Sequence, residues 1–464
     1  MADTSKKIHH LTIHEARSLI RGKTLSPVEL TRAFLNRIDA VDGKLHSYLW
    51  VAADEALAEA RGAEAEILQG HYRGPLHGIP FAVKDQYDVK GRPALMRMPS
   101  PAEREATVDA TAVARLREAG AVLLGKLMMS GLPGDLPQTR NPWDLERSPG
   151  GSSTGPGAAT AAGLCMASLG EDTAGSIRNP ASLCGLVGMK PTYGRVSRAG
   201  LAPLSWSLDH SGPMTWIVED IAYMLQALAG HDPRDPTSIP APVPYYAASL
   251  RPDLKGLVIG VPREYIEAAR PQLDPGILAR VDGAIEGLGA LGAEIREVAV
   301  PSLAYATIAN AVIYATEFFA AHKHEVAGLL QASAASRRAR LYLGALSGAA
   351  DYIQAQRLRS RLKREFAEVF HRVDVLALPA QLKAAPLLEG ADPLDTLFRN
   401  LSPDFAGPFN LAGLPALCVP CGFNEQGLPV SLQLLGKPFD EPTLLRAGYA
   451  YQQHARHYER RPPV

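Results

Sequence analysis

Two turns built from small residues carry serines that could act as nucleophiles. The first, SPGGSSTGPG, spans residues 148–157 and contains Ser152 and Ser153. The second, GEDTAGS, spans residues 170–176 and ends at Ser176. A serine hydroxyl becomes an effective nucleophile when a neighbouring base takes its proton, and that base can be a neutral lysine. The two turns are therefore predicted to share one site with a lysine.

Lys84 is the lysine best placed to serve as that base. It ends the apolar run HGIPFAVKD, residues 77–85, which reads as a buried strand. A free lysine has a pKa near 10.4, and burial lowers that pKa because it disfavours the charged form. The alternative, left open by this residue alone, is a surface lysine at a strand end that pairs with Asp85.

Other catalytic and cofactor motifs fit the sequence poorly. A phosphate-binding loop needs a lysine after its last glycine, but Pro156 follows Gly155. A dinucleotide fingerprint that starts at Gly155 has Thr160 where its third glycine belongs. The G-x-S-x-G elbow of α/β-hydrolases is absent. His322 and His324 are two residues apart, which points them to different sides of a helix, and they are predicted to lie on a solvated face. No metal site is predicted.

The order of predicted elements is typical of an α/β protein. Thr12 and Ser26 are each followed by glutamate three residues later, which predicts capped helix starts. The proline-rich segment 232–246 reads as a surface excursion, the alternative being a domain boundary. One large domain over residues 1–464 is predicted. Its predicted helices are 13–21, 27–40, 54–68, 110–120, 276–291 and 360–370, and its predicted strands are 77–85, 121–127, 254–262 and 373–380.

Composition and charge narrow the classes of partner. The 48 basic residues balance 48 acidic ones, so no global field favours nucleic acid or an anionic membrane. Neither partner is predicted. The N-terminus lacks a signal-peptide core, and four cysteines are sparse for this length, which favours a reducing cytoplasm. Cys418 and Cys421 form C-x-x-C within an apolar run broken by proline, and they are predicted to be buried structural thiols.

Three segments together resemble the amidase signature family of serine hydrolases. They are GPLHGIPFAVKD, TRNPWDLERSPGGSS and GEDTAGSIRNPASLCGLVGMKPTYGRVSRAG. LSPVEL near the N-terminus and PFNLAGLPALCVPCGF near the C-terminus also fit, so the resemblance covers nearly the whole chain. It implies an α/β fold with a mixed central β-sheet covered on both faces by helices. The catalytic core would span about residues 75–215, after N-terminal helices within residues 12–70.

The resemblance implies a Ser–cisSer–Lys triad and no metal or organic cofactor. Lys84 would be the ultimate base, Ser152 the bridging serine on a cis peptide, and Ser176 the nucleophile. The implied oxyanion hole consists of successive backbone N–H groups, those of Thr173, Ala174, Gly175 and Ser176.

Asp172 and Arg178 flank the second turn and are predicted to brace it rather than to touch substrate. The turn departs from the family in one position. Ala174 stands where relatives usually have glycine. Alanine keeps the N–H donor but tolerates a positive φ poorly, so a slightly altered turn is expected.

Two further departures bear on the substrate. The segment 128–138, MMSGLPGDLPQ, has Gly131 where the usual pattern carries glutamate, and a YDGVRYG-like stretch is absent from the later part of the chain. Both count against the amidase subunit of a tRNA-dependent amidotransferase. Met128, Met129 and Gly131 are predicted to form an apolar substrate pocket, and the alternative is a plain surface loop.

The sequence therefore predicts a free-standing amidase, a monomer or homodimer. Its expected substrate is a small or medium amide, anilide or carbamate with an apolar portion. Two alternatives remain open: an amidotransferase subunit or other partner-dependent amidase that releases ammonia from glutamine, and a non-catalytic scaffold of the same fold. Activity of the chain alone would discriminate between them.

Overall fold

A mixed β-sheet forms the centre of the protein, and the described part of the chain contributes 11 strands to it. The computed structural model describes residues 7–95, 105–132, 136–332, 335–389 and 404–464. Across the sheet the order of the described strands is β1-β3-β2-β4-β6-β5-β10-β11-β9-β7-β8. The strands are β1 (Tyr48–Val51), β2 (Pro80–Lys84), β3 (Val122–Leu127), β4 (Ala167–Asp172), β5 (Val187–Lys190), β6 (His210–Thr215), β7 (Val258–Val261), β8 (Glu294–Glu297), β9 (Val375–Pro379), β10 (Ala416–Phe423) and β11 (Pro429–Gly436).

Helices flank this sheet, which confirms the predicted α/β fold. Those described are α1 (Ile13–Arg21), α2 (Pro27–Leu45), α3 (Ala53–Leu68), α4 (Thr111–Glu118), α5 (Thr154–Ala161), α6 (Arg178–Leu183), α7 (Val218–Leu228), α8 (Arg263–Ala269), α9 (Pro275–Ala290), α10 (Leu303–His322), α11 (Val326–Ala332), α12 (Ala335–Leu346), α13 (Ala349–Phe370), α14 (Gly407–Ala412) and α15 (Glu441–Ala455).

The first two helices start where the sequence predicts. Thr12 and Glu15 form the reciprocal capping box of α1, and the Ser26 hydroxyl accepts from the backbone N–H groups of Val28 and Glu29. These side chains satisfy N–H groups that the helix leaves unpaired. Helix α13 begins eleven residues before the predicted start at 360, since AADYIQAQRLR contains no helix breaker.

Strands β2 and β4 bring the two functional segments to one edge of the sheet. They are parallel neighbours, with Phe81 opposite Ala167 and Val83 opposite Leu169. Lys84 ends β2, and the turn that contains Ser176 follows β4 directly. Because parallel strands point their carboxyl ends the same way, the lysine and the turn lie side by side.

Helix α10 is long and apolar enough to cross a membrane by length and composition, and half of its apolar window is buried inside the protein. The helix ends at His322, which is buried, with Nε2 3.2 Å from the Pro203 carbonyl oxygen. The prediction of a solvated His322 is therefore wrong, because its position on the last turn faces the core. His324 lies beyond the helix end and is exposed. No group of three metal-ligating side chains occurs among the described residues.

Cys418 and Cys421 lie on β10 and are buried, as predicted for structural thiols. Burial raises the pKa of the Cys418 thiol to about 12. A thiol in that state is a poor nucleophile at neutral pH. All four cysteines are free and buried.

The proline-rich segment 232–246 is tied to the catalytic half of the chain. The Asp232 carboxylate accepts from the Thr111 and Ser197 hydroxyls, and the Ile239 N–H donates to the Gly194 carbonyl. These contacts suit a surface excursion. The division of the chain into domains stays a prediction.

Candidate active site

Lys84 is a fully buried lysine that contacts the first serine turn. Its Nζ lies 2.8 Å from the Ser152 Oγ and 3.1 Å from the Glu171 Oε2. Burial lowers the pKa of Lys84, while the charge and the hydrogen bond of Glu171 act in the opposite direction. The alternative of a surface lysine paired with Asp85 is wrong, since Asp85 pairs with Lys126 at 3.0 Å.

The turn that carries Ser152 is held on both sides. The Gly151–Ser152 peptide is cis, as the resemblance implies. The Gly151 N–H donates to the Asn179 Oδ1 at 3.0 Å. The Ser152 carbonyl accepts from the N–H groups of Ser130 and Thr154, both at 2.9 Å. These bonds fix the hydroxyl of Ser152 next to Lys84.

The backbone conformation explains one glycine in each turn. Gly150 has φ +85°, and a Cβ there would lie 2.5 Å from the Asn179 Oδ1. Gly175 has φ +108°, and its Cβ would lie 2.6 Å from the Ala406 Cβ. Only glycine suits both constraints. Ala174 has no positive φ. Alanine therefore fits this position without backbone strain, although the sequence led us to expect a slightly altered turn.

Asp172 and Arg178 brace the second turn, as the sequence predicts. The Asp172 carboxylate accepts from the N–H groups of Gly175 (2.7 Å) and Ile177 (3.1 Å). Arg178 donates to it through Nε and Nη2, both at 3.0 Å. Burial alone would raise the pKa of Asp172, but the charge and hydrogen bonds of Arg178 hold it well below its usual value.

The same contacts decide which backbone N–H groups are free. The Gly175 N–H is occupied by the Asp172 carboxylate, so it is not free to bind an oxyanion as the resemblance implies. The N–H groups of Thr173, Ala174 and Ser176 make no hydrogen bond among the described residues. Three of the four predicted donors are thus available.

A cavity of about 500 Å³ opens beside both turns. The turns contribute Ser148, Gly150, Gly151, Thr154 and Ala174 to its lining. Helices α10 and α12 and the segments 380–386 and 404–406 form much of the rest. Ser176 is half-buried, and its hydroxyl has no hydrogen-bond partner in the described ranges. No hydrogen bond joins Ser152 to Ser176 there either. Catalytic hydrogen bonds are often long in the absence of substrate. The missing hydrogen bond between the two serines is therefore compatible with a site for acyl transfer.

Comparison with known proteins agrees with this geometry. The sequence model of the family described as Amidase matches residues 29–445. The chain belongs to the Amidase family. A glutamyl-tRNA(Gln) amidotransferase subunit of Moorella thermoacetica is 44% identical over 488 residues, 99% of each chain. Further relatives at 40–42% identity carry the same name.

Solved structures of family members share the whole fold. A chain described as part of an unexpected vestigial protein complex, linked to the origins of an s-triazine catabolic enzyme, is 33% identical with a TM-score of 0.88. It covers 96% of this chain and 98% of that chain. The native peptide amidase of Stenotrophomonas maltophilia is 31% identical with a TM-score of 0.82, and covers 98% of both.

These relatives correct the predicted partners. The sequence predicts a small-molecule substrate and no nucleic acid. Relatives that match nearly the full length of the chain are named as subunits of glutamyl-tRNA(Gln) amidotransferases. The balanced charge misled the prediction, since net charge reports on global fields and not on a family's substrate.

The three residues that the sequence predicts as a substrate pocket do not line this cavity. Met128 and Met129 are buried in an apolar cluster with Phe318, among other side chains, and neither lines the cavity. Gly131 faces the Arg337 guanidinium, not the cavity. The chain remains buried beyond the end of β3, so the methionines join the core. Ser130, between them and Gly131, does reach the lining.

Three buried polar residues of the site were missed in the sequence. Glu171 contacts Lys84, and Asn410 and Gln433 accept hydrogen bonds from the Arg178 guanidinium. Asn410 and Gln433 stand in largely apolar segments, and Glu171 ends an apolar strand beside Asp172. A polar residue at such a position needs a partner when buried. That was the available signal.

Proposed function

We propose that this Amidase member is the amidase subunit of an amidotransferase that acts on glutamyl-tRNA and releases ammonia from glutamine. The observation that carries the proposal is the 2.8 Å contact of buried Lys84 with Ser152, beside a cavity that the Ser176 turn borders. The relatives at 40–44% identity support the choice of substrate. We also propose that the chain performs this role in the cytoplasm, the location that the sequence predicts.

The triad acts by a proton relay. Neutral Lys84 accepts the proton of Ser152 while Ser152 accepts that of Ser176, whose Oγ attacks the amide carbon. The free N–H groups of Thr173, Ala174 and Ser176 bind the tetrahedral oxyanion, each such donor being worth about 3–4 kcal/mol. The relayed proton leaves with ammonia as the C–N bond breaks. Water then cleaves the acyl-enzyme through the reverse relay.

The cavity offers a guanidinium and a carboxyl group to the two charged ends of free glutamine. Its lining includes Arg340 and Asp404. The Arg340 guanidinium stacks on the Tyr314 ring at 4.0 Å and has no carboxylate partner among the described residues. It can pair with the α-carboxylate of glutamine, and Asp404 can pair with the α-ammonium group.

A second candidate is hydrolysis of anilides or carbamates, which present the same carbonyl to Ser176. The apolar part of the cavity lining favours it, formed by Tyr314, Leu343, Leu382 and Phe405. An aromatic or alkyl portion would bury its surface there. The solved structure of similar fold from Stenotrophomonas maltophilia is described as a peptide amidase and not as a subunit of a larger enzyme. We place it second because relatives at 40–44% identity are named as amidotransferase subunits.

Ammonia release from glutamine, measured with and without partner chains, tests the proposal. The chain alone is expected to be slow, and the remaining subunits of the Moorella thermoacetica enzyme with glutamyl-tRNA should raise kcat at least tenfold. Partner binding would favour the arrangement in which Ser152 and Ser176 form the hydrogen bond that the chain alone lacks among its described residues. Ser176→Ala in the same mixture serves as the blank. Faster amine release from anilides or carbamates by the chain alone than from glutamine under any condition would contradict the proposal.

A further inference from the structure

Glu171 is a buried carboxylate that the relay does not use. It lies on β4 directly before Asp172, and its side chain is 0% exposed. Asp172 already has Arg178 as its partner. Glu171 instead pairs with Lys84, whose side chain is equally buried. Burial of a carboxylate costs free energy, so the position of Glu171 beside the catalytic base Lys84 calls for a functional explanation.

The contacts of Lys84 give Glu171 an orienting effect. The Nζ has three neighbours: the Ser152 Oγ at 2.8 Å, the Glu171 Oε2 at 3.1 Å and the Glu171 carbonyl oxygen at 3.4 Å. A neutral amine has two N–H groups and one lone pair. The two oxygens of Glu171 accept the two N–H groups, so the lone pair faces the hydroxyl of Ser152.

The charge of Glu171 matters after proton transfer. When Lys84 accepts the relayed proton, it becomes an ammonium ion in a site without water contact. A carboxylate at 3.1 Å then neutralises it. The aspartate of a Ser–His–Asp triad acts similarly, since it orients the histidine and stabilises the imidazolium that forms.

We propose that Glu171 is a positioning residue of this active site, which orients Lys84 toward Ser152 and stabilises the ammonium form of Lys84 during acyl transfer. The proposal rests on the Ser–Ser–Lys relay of the proposed function. It holds for whichever amide or carbamate the chain hydrolyses.

The hydroxyl of Thr173 links Glu171 to a second buried acid, Asp209. The Thr173 hydroxyl contacts both the Glu171 Oε1 and the Asp209 Oδ1. One hydroxyl hydrogen cannot serve two carboxylates, so the two acids share an additional proton. Burial, followed by the charge of Glu171, raises the pKa of Asp209 to about 8. Asp209 therefore holds that proton at neutral pH.

The pH dependence of kcat/KM gives a readout that a merely structural role would not change. The charged groups that act on Lys84 are Glu171, Asp172 and Asp209. Asp172 is neutralised by Arg178 and Asp209 by its proton. Lys84 must be neutral to act as a base, so kcat/KM rises as pH rises through its pKa. Glu171 raises that pKa, so its removal must move the acidic limb to lower pH.

Glu171→Gln is expected to produce two effects at once. The plateau of kcat/KM falls roughly 10- to 100-fold, part of the 10²–10⁴ that general-base catalysis contributes. The acidic limb moves down by ~1 pH unit or more, the usual effect of one close opposite charge. The measurement is kcat/KM between pH 5 and 10 with the best amide substrate of the chain. Asp85→Asn, which breaks the comparably buried pair with Lys126, is the matched control and should leave the limb in place.

Thr173→Val keeps the proposal testable if Glu171→Gln does not fold. It is nearly isosteric and keeps the backbone N–H, but it removes the hydroxyl that stabilises the charge of Glu171. Its acidic limb should also move to lower pH, by less. A limb that stays at the wild-type pH, or moves higher, in the variant that folds overturns the proposal. Because any hydrolysed amide serves, a wrong assignment of glutamine as substrate leaves this test intact.

Discussion

Ser176→Ala is expected to lower kcat for amide hydrolysis about 10⁴- to 10⁶-fold, the range seen when a serine hydrolase loses its nucleophile. In the proposed relay only Ser176 attacks the amide carbon, and Ser152 passes the proton to Lys84. The fold should persist, because the Ser176 hydroxyl has no hydrogen-bond partner in the described part of the chain. The measurement is single-substrate kinetics with thermal unfolding of the same preparation.

Ser360→Ala is the matched control for the loss of a serine hydroxyl. Ser360 is exposed on α13, where its hydroxyl donates to the Gln356 carbonyl. Its variant should keep wild-type kcat. Retention of more than a tenth of the wild-type kcat by Ser176→Ala would show that another group attacks the substrate.

Arg178→Met is expected to destabilise the protein by about 3–5 kcal/mol, as removal of one partner from a buried ion pair does. The Asp172 carboxylate would be left buried, with backbone N–H groups and the Asn410 amide as its remaining donors. Urea unfolding of both proteins measures the difference. Amidase activity should fall as well, since Asp172 fixes the turn before Ser176.

The pH dependence of this loss follows from the pKa of Asp172. In the wild type that pKa lies well below its usual value of about 3.9. The pair therefore stabilises the protein above pH ~4, and the contribution is lost as pH falls toward the native pKa. The difference between wild type and variant should be larger at pH 7 than at pH 4. Arg270→Met, which breaks an exposed pair with Glu267, should change stability at neither pH, and equal losses in both variants would contradict the role of burial.

The residues that we propose as catalytic could be singled out in the sequence because local motifs carry them. Lys84 ends a run that only a buried strand explains, and both serines stand in turns with special backbone geometry. Helix starts at Thr12 and Ser26 were equally local, since a capping side chain and its N–H partners lie within three residues. Features of this kind need no knowledge of the fold.

What could not be predicted depends on side chains from distant parts of the chain. Glu171 stands beside Asp172 in the sequence, but only the pairing of β2 with β4 shows that it faces Lys84. Met128 and Met129 were predicted to line the pocket because their segment is apolar and lacks the usual glutamate, yet they pack against side chains such as Phe318 that come much later in the sequence. The hydrogen bond that occupies the Gly175 N–H likewise depends on where the Asp172 carboxylate is held by Arg178.

The most direct test of the relay is to identify the labelled serine after reaction with a fluorophosphonate, which phosphonylates an activated serine. Peptide mapping by mass spectrometry would locate the adduct within residues 148–190, a range that contains both turns. We expect label on Ser176 in the wild type and its loss in Lys84→Ala, because Lys84 activates Ser176 through Ser152. Label on Ser152 instead, or unchanged labelling of Ser176 in Lys84→Ala, would contradict the relay.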